Sequence, residues 1–299
     1  MISRRDILLT PAALFALRTA EAANGKMTLA LHHNTSSRAG FRGSLEGWAR
    51  AGIKEVEIAN NLLDAFLKTD SLAAARRVLG DLGLTPVSAS CGVGGLIEPN
   101  PNRAATLDNF RKRCEMFATL GLPRIYSTTA TMIKPVADDY KAAAGNVREV
   151  GEIAKQFQLT AMFEFVRQST FASTLTTLLS ITHAAAHPNV GPLFDFYHFW
   201  SGHNRLEDMD AIRPGEIKHV HFQDVPDMPR EMLDQTTRVI PGDGVSPLTA
   251  ILRKLADKGY DGALSVELFS PKFQEGDPYE VAREIKGKAE SVMRQAKVI

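Results

Sequence analysis

Four acidic or imidazole side chains interrupt apolar runs in the second half of the chain. They are Glu164 in Ala-Met-Phe-Glu-Phe-Val, Asp195 in Pro-Leu-Phe-Asp-Phe-Tyr, His221 in Lys-His-Val-His-Phe and Glu267 in Leu-Ser-Val-Glu-Leu-Phe. Such runs are typical of buried parallel strands, where a carboxylate without a partner costs several kcal/mol. The sequence therefore predicts that a compensating charge lies beside these side chains.

Two kinds of compensation are open. The first is a set of buried ion pairs, for which these strands offer only Lys218 and Arg167 as cations. The second is a divalent cation, which would remove the repulsion among three converging carboxylates. Two Glu, one Asp and one His form a mostly oxygen shell. Such a shell suits Mn²⁺, Mg²⁺ or Co²⁺ better than it suits a structural zinc ion, which prefers thiolates, although Zn²⁺ stays an open alternative.

The elements that must position these residues alternate between short β-branched runs and longer helical patterns. The alternation predicts a single-domain α/β fold over residues 23–299, a (β/α)8 TIM barrel with chemistry at the C-terminal ends of its strands. A doubly wound open sheet is the alternative, but no G-x-G-x-x-G follows the first strand. The predicted strands are Met27–His32, Ile53–Ile58, Thr85–Ser90, Arg124–Thr128, Thr160–Val166, Val190–Phe196, Ile217–Phe222 and Ala263–Leu268. The predicted helices are Leu62–Leu82, Arg103–Leu120, Asp138–Gln156, Pro247–Lys258 and Pro278–Lys297.

Residues 1–22 differ in character from the rest of the chain. The pair Arg4-Arg5 precedes an apolar stretch from Ile7 to Leu17, and Ala20-Glu21-Ala22 offers small residues for cleavage. This pattern predicts a twin-arginine signal peptide and a periplasmic location, with no membrane attachment after cleavage. An amphipathic N-terminal helix is the alternative.

The composition excludes several classes of protein. The chain has 35 basic and 34 acidic residues, a net charge of +1, which argues against nucleic-acid partners. Its two cysteines, Cys91 and Cys114, cannot form a disulfide scaffold or a zinc ribbon. We expect a small-molecule partner, and the sequence leaves open whether the protein forms a homo-oligomer.

Short motifs on the late strands resemble those of the xylose-isomerase-like sugar phosphate isomerase/epimerase superfamily. These motifs are Asp195-x-x-His198, His221-x-x-Asp224, Pro241-Gly-Asp-Gly244 and Gly259-Tyr-x-Gly262 followed by Val266-Glu267. Members of that superfamily include ketose 3-epimerases, hydroxypyruvate isomerases and keto-inositol dehydratases.

The resemblance implies roles for individual residues. It makes Glu164, Asp195, His221 and Glu267 the metal ligands, and it makes His198 and Arg238 contacts for substrate oxygens. His32 and Glu57 fall where relatives often have polar pocket residues, although His32 and His33 fit equally well as a hydrogen-bonded barrel-end histidine and a solvent-facing one.

For several further residues the sequence allows both a functional and a purely structural interpretation. Trp200 and Phe199 are either stacking partners for a sugar face or loop packing. Cys91 either lines the pocket or acts as a small hydrophobe. His183 and His187 have the spacing of a helical metal pair, but an outer-ring helix favours surface histidines.

This donor set predicts chemistry on a hydroxyketone. A metal that chelates two adjacent oxygens acidifies the α proton and stabilises the enediolate, with Glu164 and Glu267 as base and acid. The sequence thus predicts a metal-dependent isomerase or epimerase of a sugar or keto-sugar. A dehydratase of a keto-cyclitol or keto-sugar and a non-catalytic periplasmic sugar-binding barrel are the alternatives. Because no glycine-rich phosphate cradle is evident, we expect an unphosphorylated substrate.

Overall fold

The computed structural model of the protein describes residues 27–299. The predicted signal peptide, residues 1–22, lies outside the described residues. No helix among residues 27–299 combines the length and the apolar character needed to cross a bilayer.

Eight parallel strands form one sheet in the order β3-β2-β1-β8-β7-β6-β5-β4. The two ends of this order meet through a parallel bridge between Ser90 and Tyr126, where the Cys91 backbone N–H also donates to the Tyr126 carbonyl at 2.8 Å. The sheet is therefore a closed barrel, and the predicted (β/α)8 fold is confirmed. The strands are β1 Thr28–His32, β2 Glu55–Ile58, β3 Thr85–Ala89, β4 Arg124–Thr128, β5 Thr160–Glu164, β6 Val190–Asp195, β7 His219–His221 and β8 Ala263–Val266.

Helices follow the strands and cover the outside of the barrel. Leucine, phenylalanine and alanine side chains from both layers form one continuous core. The helices are α1 Gly40–Arg50, α2 Asn60–Phe66, α3 Leu72–Asp81, α4 Arg103–Leu120, α5 Ala137–Gln156, α6 Leu175–Ala185, α7 Phe196–Ser201, α8 Leu248–Asp257, α9 Pro271–Gln274 and α10 Pro278–Ala296.

The predicted single helix Leu62–Leu82 is wrong, because two helices, α2 and α3, occupy this segment. The Ser71 side chain accepts a hydrogen bond from the Ala74 backbone N–H and so begins a new helix. A serine in this role satisfies a backbone donor that an uninterrupted helix would have bonded internally.

The end of β6 shows how the barrel presents its polar residues. The Asp195 side chain accepts from the His198 backbone N–H at 2.6 Å, so it caps helix α7 immediately after the strand. Residues on one strand alternate between the barrel interior and the helix layer. In the sheet register Asp195 pairs with His221 and Glu164 pairs with Leu193, which brings the polar residues of β5, β6 and β7 to the same end of the barrel.

Candidate metal centre and active site

The four predicted metal ligands lie together inside the barrel. Glu164, Asp195, His221 and Glu267 each offer one ligand atom, and these atoms lie within 4.8 Å of one another. All four side chains are buried. The structure thus brings together the cluster that the sequence indicates, and binding of a metal by it stays a prediction.

His221 stands at the centre of this cluster. Its Nδ1 lies 2.9 Å from a Glu164 oxygen and 3.5 Å from one oxygen each of Asp195 and Glu267. An imidazole lone pair facing three carboxylates is unfavourable unless a proton or a cation lies between them. The donor set therefore fits a divalent cation held by three carboxylate oxygens and one imidazole nitrogen.

Burial and charge separate the pKa values of the three carboxyl groups. Burial raises the pKa of Glu164 to about 8, although His221 opposes the shift. Burial acts the same way on Asp195, but Arg238, His198 and His221 outweigh it and hold the pKa of Asp195 well below its ordinary value. The pKa of Glu267 is also lowered, because His32, His221 and Arg238 outweigh burial. Near pH 7, then, Glu164 retains its proton while the other two carboxylates are charged.

The cation that balances these carboxylates is Arg238. Its Nη1 donates to Glu267 Oε2 at 2.7 Å and to Asp195 Oδ2 at 3.1 Å, and the side chain is fully buried. A count of cations on the strands alone, Lys218 and Arg167, therefore misses the cation that pairs with the cluster. Lys218 bonds the carbonyl of Gly215, and Arg167 bonds the carbonyls of Arg230 and Leu233. Arg238 arrives from the loop after β7, which strand patterns do not reveal.

Asp224 fixes the loop that carries Arg238. Its carboxylate accepts hydrogen bonds from four backbone N–H groups, at 2.8 Å to 3.2 Å. These groups belong to Val225, Gly242, Gly244 and Ser246. A Cβ at Gly244 would lie 2.3 Å from the Val225 carbonyl oxygen, so the tight turn requires glycine there. In the sequence, the motif His221-x-x-Asp224 and the glycine-rich run Pro241–Gly244 are the features that indicate these hydrogen bonds to Asp224.

Glu57 and His219 extend the cluster behind His221. Glu57 lies 3.3 Å from His221 Nε2 and 2.9 Å from His219 Nε2, and all three side chains are fully buried. Burial would raise the pKa of Glu57, but His219 and His221 hold it well below its ordinary value. A carboxylate on the far nitrogen of a ligand histidine fixes the ring orientation and the tautomer. No definite role for Glu57 follows from the sequence, although it too is a lone acid in an apolar strand.

His33 is not the solvent-facing residue of that interpretation, because it is fully buried, as is His32. His32 lies beside the cluster, with Nδ1 at 3.5 Å from Glu267 and Nε2 at 3.1 Å from the Tyr126 hydroxyl. His33 points the other way and packs edge-on against Phe41. Burial lowers the pKa of His33 to about 3, so it stays neutral.

The remaining predicted pocket residues divide between the site and its surroundings. His198 is buried with Nε2 at 3.1 Å from Arg238 Nη2, and burial lowers its pKa to about 4. Trp200 is half-buried and packs against the cluster of Tyr197, Val225 and Leu233, which supports loop packing. Cys91 is buried, and burial raises the pKa of its thiol to about 11.

His183 and His187 are not free surface histidines. His183 lies 2.5 Å from Glu216 and His187 lies 3.0 Å from Glu152. Only His183 falls within α6, since the helix ends at Ala185. Each imidazole therefore has its own carboxylate partner, and neither belongs to a group of metal-ligand donors among residues 27–299.

Comparisons with known proteins agree with this fold and site. The family described as "Xylose isomerase-like TIM barrel" matches residues 46–290. An inosose isomerase of Halalkalibacterium halodurans is 28% identical over 233 residues, covering 77% of this chain and 83% of that protein. A 3-dehydroshikimate dehydratase of Pseudomonas putida is 25% identical over 243 residues, covering 77% of this chain and 36% of that protein.

Among solved structures, the IOLI protein with a bound zinc atom superimposes with a TM-score of 0.84 at 23% identity. The match covers 90% of this chain and 99% of that one. At this identity the likeness establishes the fold alone.

Proposed function

The chain belongs to the xylose isomerase-like TIM barrel family, and on that premise we propose that it is a divalent-metal-dependent isomerase or epimerase of a sugar, keto-sugar or cyclitol. The observation that carries the proposal is the buried cluster of Glu164, Asp195, His221 and Glu267 inside the barrel. The inosose isomerase relative supports a hydroxyketone as the substrate.

The metal would be held by these four side chains. Mn²⁺, Mg²⁺ or Co²⁺ suits three carboxylate oxygens and one imidazole best, while the zinc atom in the IOLI protein supports Zn²⁺ as the alternative. When bound, a divalent cation acts as a Lewis acid that polarises the substrate carbonyl.

Proton transfer falls to the two glutamates. In its ionised form Glu164 removes the proton on the carbon next to the carbonyl, and its raised pKa of about 8 suits a group that gains and loses a proton near neutral pH. Glu267, which is paired with Arg238 and contacts the same Nδ1 of His221, is ionised in the free protein, so it takes up a proton from solvent before it returns one to the substrate carbon. Return to the same carbon gives epimerisation, and return to its neighbour gives isomerisation.

Arg238 and His198 would hold substrate oxygens beside the cluster. Arg238 Nε is buried and has no hydrogen-bond partner among residues 27–299, so one N–H of the guanidinium is available to a ligand. Neutral His198 offers a ring nitrogen without adding charge. Trp200 in α7 would contribute less to substrate binding, since its ring packs against protein side chains.

A dehydratase is the second candidate function. The 3-dehydroshikimate dehydratase relative favours it, because the same proton abstraction leads to loss of water when a hydroxyl lies β to the carbonyl. A non-catalytic binding barrel is less favoured, since recognition alone does not need a cluster of buried carboxylates with perturbed pKa values.

We further propose that the protein acts in the periplasm on an unphosphorylated substrate, after export by the twin-arginine route. The Arg4-Arg5 pair and the small residues at 20–22 support export. Inorganic and sugar phosphates are less expected as ligands, because the sequence lacks a glycine-rich phosphate cradle.

The test is solvent-deuterium incorporation at the α carbon of inosose and D-fructose, with and without added Mn²⁺. We expect metal-dependent exchange in the wild type and a fall of about 10²–10⁴-fold in Glu164→Gln, the usual contribution of a general base. Glu152→Gln, an exposed carboxylate on α5, is the matched control and should exchange at the wild-type rate. Exchange that is absent, or that is equal in Glu164→Gln, would contradict the proposal. Exchange followed by loss of water would identify the dehydratase.

A further inference from the structure

The hydroxyl of Tyr126 is a buried donor in the interior of the barrel. Tyr126 is 5% exposed, and its ring lies edge-on to His221 with the centroids 5.1 Å apart. The hydroxyl makes one side-chain contact among residues 27–299, with His32 Nε2 at 3.1 Å. A tyrosine within a buried strand is ordinary, so nothing in the sequence singles it out.

The direction of this hydrogen bond follows from the other side of the His32 ring. The backbone N–H of Asn34 donates to His32 Nδ1 at 3.1 Å, so Nδ1 is the acceptor nitrogen of the imidazole. In the neutral ring the remaining nitrogen, Nε2, then carries the hydrogen. His32 is therefore the donor to Tyr126, and the phenolic hydrogen has no acceptor among the described residues.

A buried donor without an acceptor costs about 1–3 kcal/mol, so its retention calls for a partner that binds there. Tyr126 lines a cavity of about 220 Å³ at the C-terminal ends of β2, β3 and β4. The cavity is bordered by polar side chains of Asn60, Ser90 and Thr128. Tyr126 thus borders this cavity, and its ring also contacts the metal-ligand candidate His221.

We infer that Tyr126 is a further catalytic residue, which donates its phenolic hydrogen bond to the carbonyl oxygen of a bound hydroxyketone. The inference rests on the proposed function. As Glu164 takes the α proton, the electron pair of the broken C–H bond moves into the carbonyl and leaves negative charge on that oxygen. Tyr126 stabilises this charge while keeping its own proton, so no further reactant is needed.

The experiment compares Tyr126→Phe with wild type in the exchange of the inosose α proton in D₂O, with Mn²⁺ present. Phenylalanine keeps the ring and removes only the O–H. Loss of one preorganised donor to a developing oxyanion lowers turnover by about 10²–10³-fold, so we expect kcat to fall by that factor with a smaller change in KM. Metal content and the thermal unfolding midpoint are measured on the same samples and should match the wild type.

Tyr260→Phe is the matched control. Its hydroxyl is also buried and donates to the Ala263 carbonyl at 2.5 Å, so the variant loses a buried hydroxyl without touching the cluster. Exchange rates in Tyr126→Phe that equal those of Tyr260→Phe would overturn the inference and leave the proposed function standing. A loss of activity in Tyr126→Phe that tracks loss of bound metal would also overturn it. A wild type that neither binds nor exchanges inosose or D-fructose would refute the proposed function and this inference together.

Discussion

Metal binding to the cluster should depend steeply on pH, because the ion and the protons compete for the same atoms. In the metal-free protein Glu164 has a pKa of about 8. The pKa of His221 is raised well above its ordinary value, since Glu57, Glu267 and Glu164 outweigh burial. A ligand must lose its proton before it can bind a metal, so affinity rises as pH rises.

The size of the effect follows from the titration of Glu164. With a pKa of about 8, its ionised fraction grows from about 1% at pH 6 to about 50% at pH 8, which strengthens binding about 50-fold, or ~2.3 kcal/mol. The proton on His221 acts in the same direction and adds to this gain.

Isothermal titration calorimetry with Co²⁺ at pH 6, 7 and 8, in buffers of different ionisation enthalpy, measures both affinity and released protons. We expect the release of close to two protons per ion at pH 7, falling by about one in Glu164→Gln. Affinity that varies less than about fivefold over this pH range, with less than half a proton released, would show that the ion does not displace protons from Glu164 and His221.

Three further predictions concern the surroundings of the site and the N-terminus. Glu57→Gln should weaken metal binding by about 10–100-fold in the same titration, because the Glu57 carboxylate orients the His221 ring. Glu55→Gln on the same strand should bind metal like the wild type. Equal affinities in the two variants would show that Glu57 does not support the site. Asp224→Asn should lower the free energy of unfolding, measured in urea, by about 3 kcal/mol or more. Asparagine keeps one side-chain oxygen, so two of the four N–H groups lose a charged acceptor worth ~1.5–3 kcal/mol each. Asp227→Asn, at an exposed position, should change the free energy of unfolding by no more than about 0.5 kcal/mol. Replacing Arg4-Arg5 by two lysines should leave unprocessed precursor in the cytoplasm on fractionation, and normal processing would argue against the twin-arginine route.

Much of the fold could be predicted because its elements are governed by local patterns. Arg124–Thr128 and Arg103–Leu120 are found with the predicted bounds. β7 is shorter than predicted, because its pairing with β6 begins at His219, its pairing with β8 begins at Val220, and both end at His221. The break between α2 and α3 was missed because the Ala- and Leu-rich composition outweighed the capping signal at Ser71.

The site was predictable where one strong signal exists, an ionisable residue in an apolar strand. That signal selected Glu164, Asp195, His221 and Glu267, which the barrel brings within 4.8 Å. Arg238 and Tyr126 carry no such signal. The Arg238 guanidinium reaches the cluster from a loop whose course depends on Asp224. The role inferred for the Tyr126 hydroxyl depends on the direction of its hydrogen bond with His32, which can be determined only in the folded structure.

The most direct test of the account is a crystal structure of the protein with Mn²⁺, with anomalous scattering recorded at the manganese edge. We expect one anomalous peak per chain, within coordination distance of one oxygen each from Glu164, Asp195 and Glu267 and of Nδ1 of His221. The peak should vanish in Glu267→Gln prepared in the same way. No peak at these four side chains, or a peak held instead by Glu57 and His219, would show that the cluster is not the metal site.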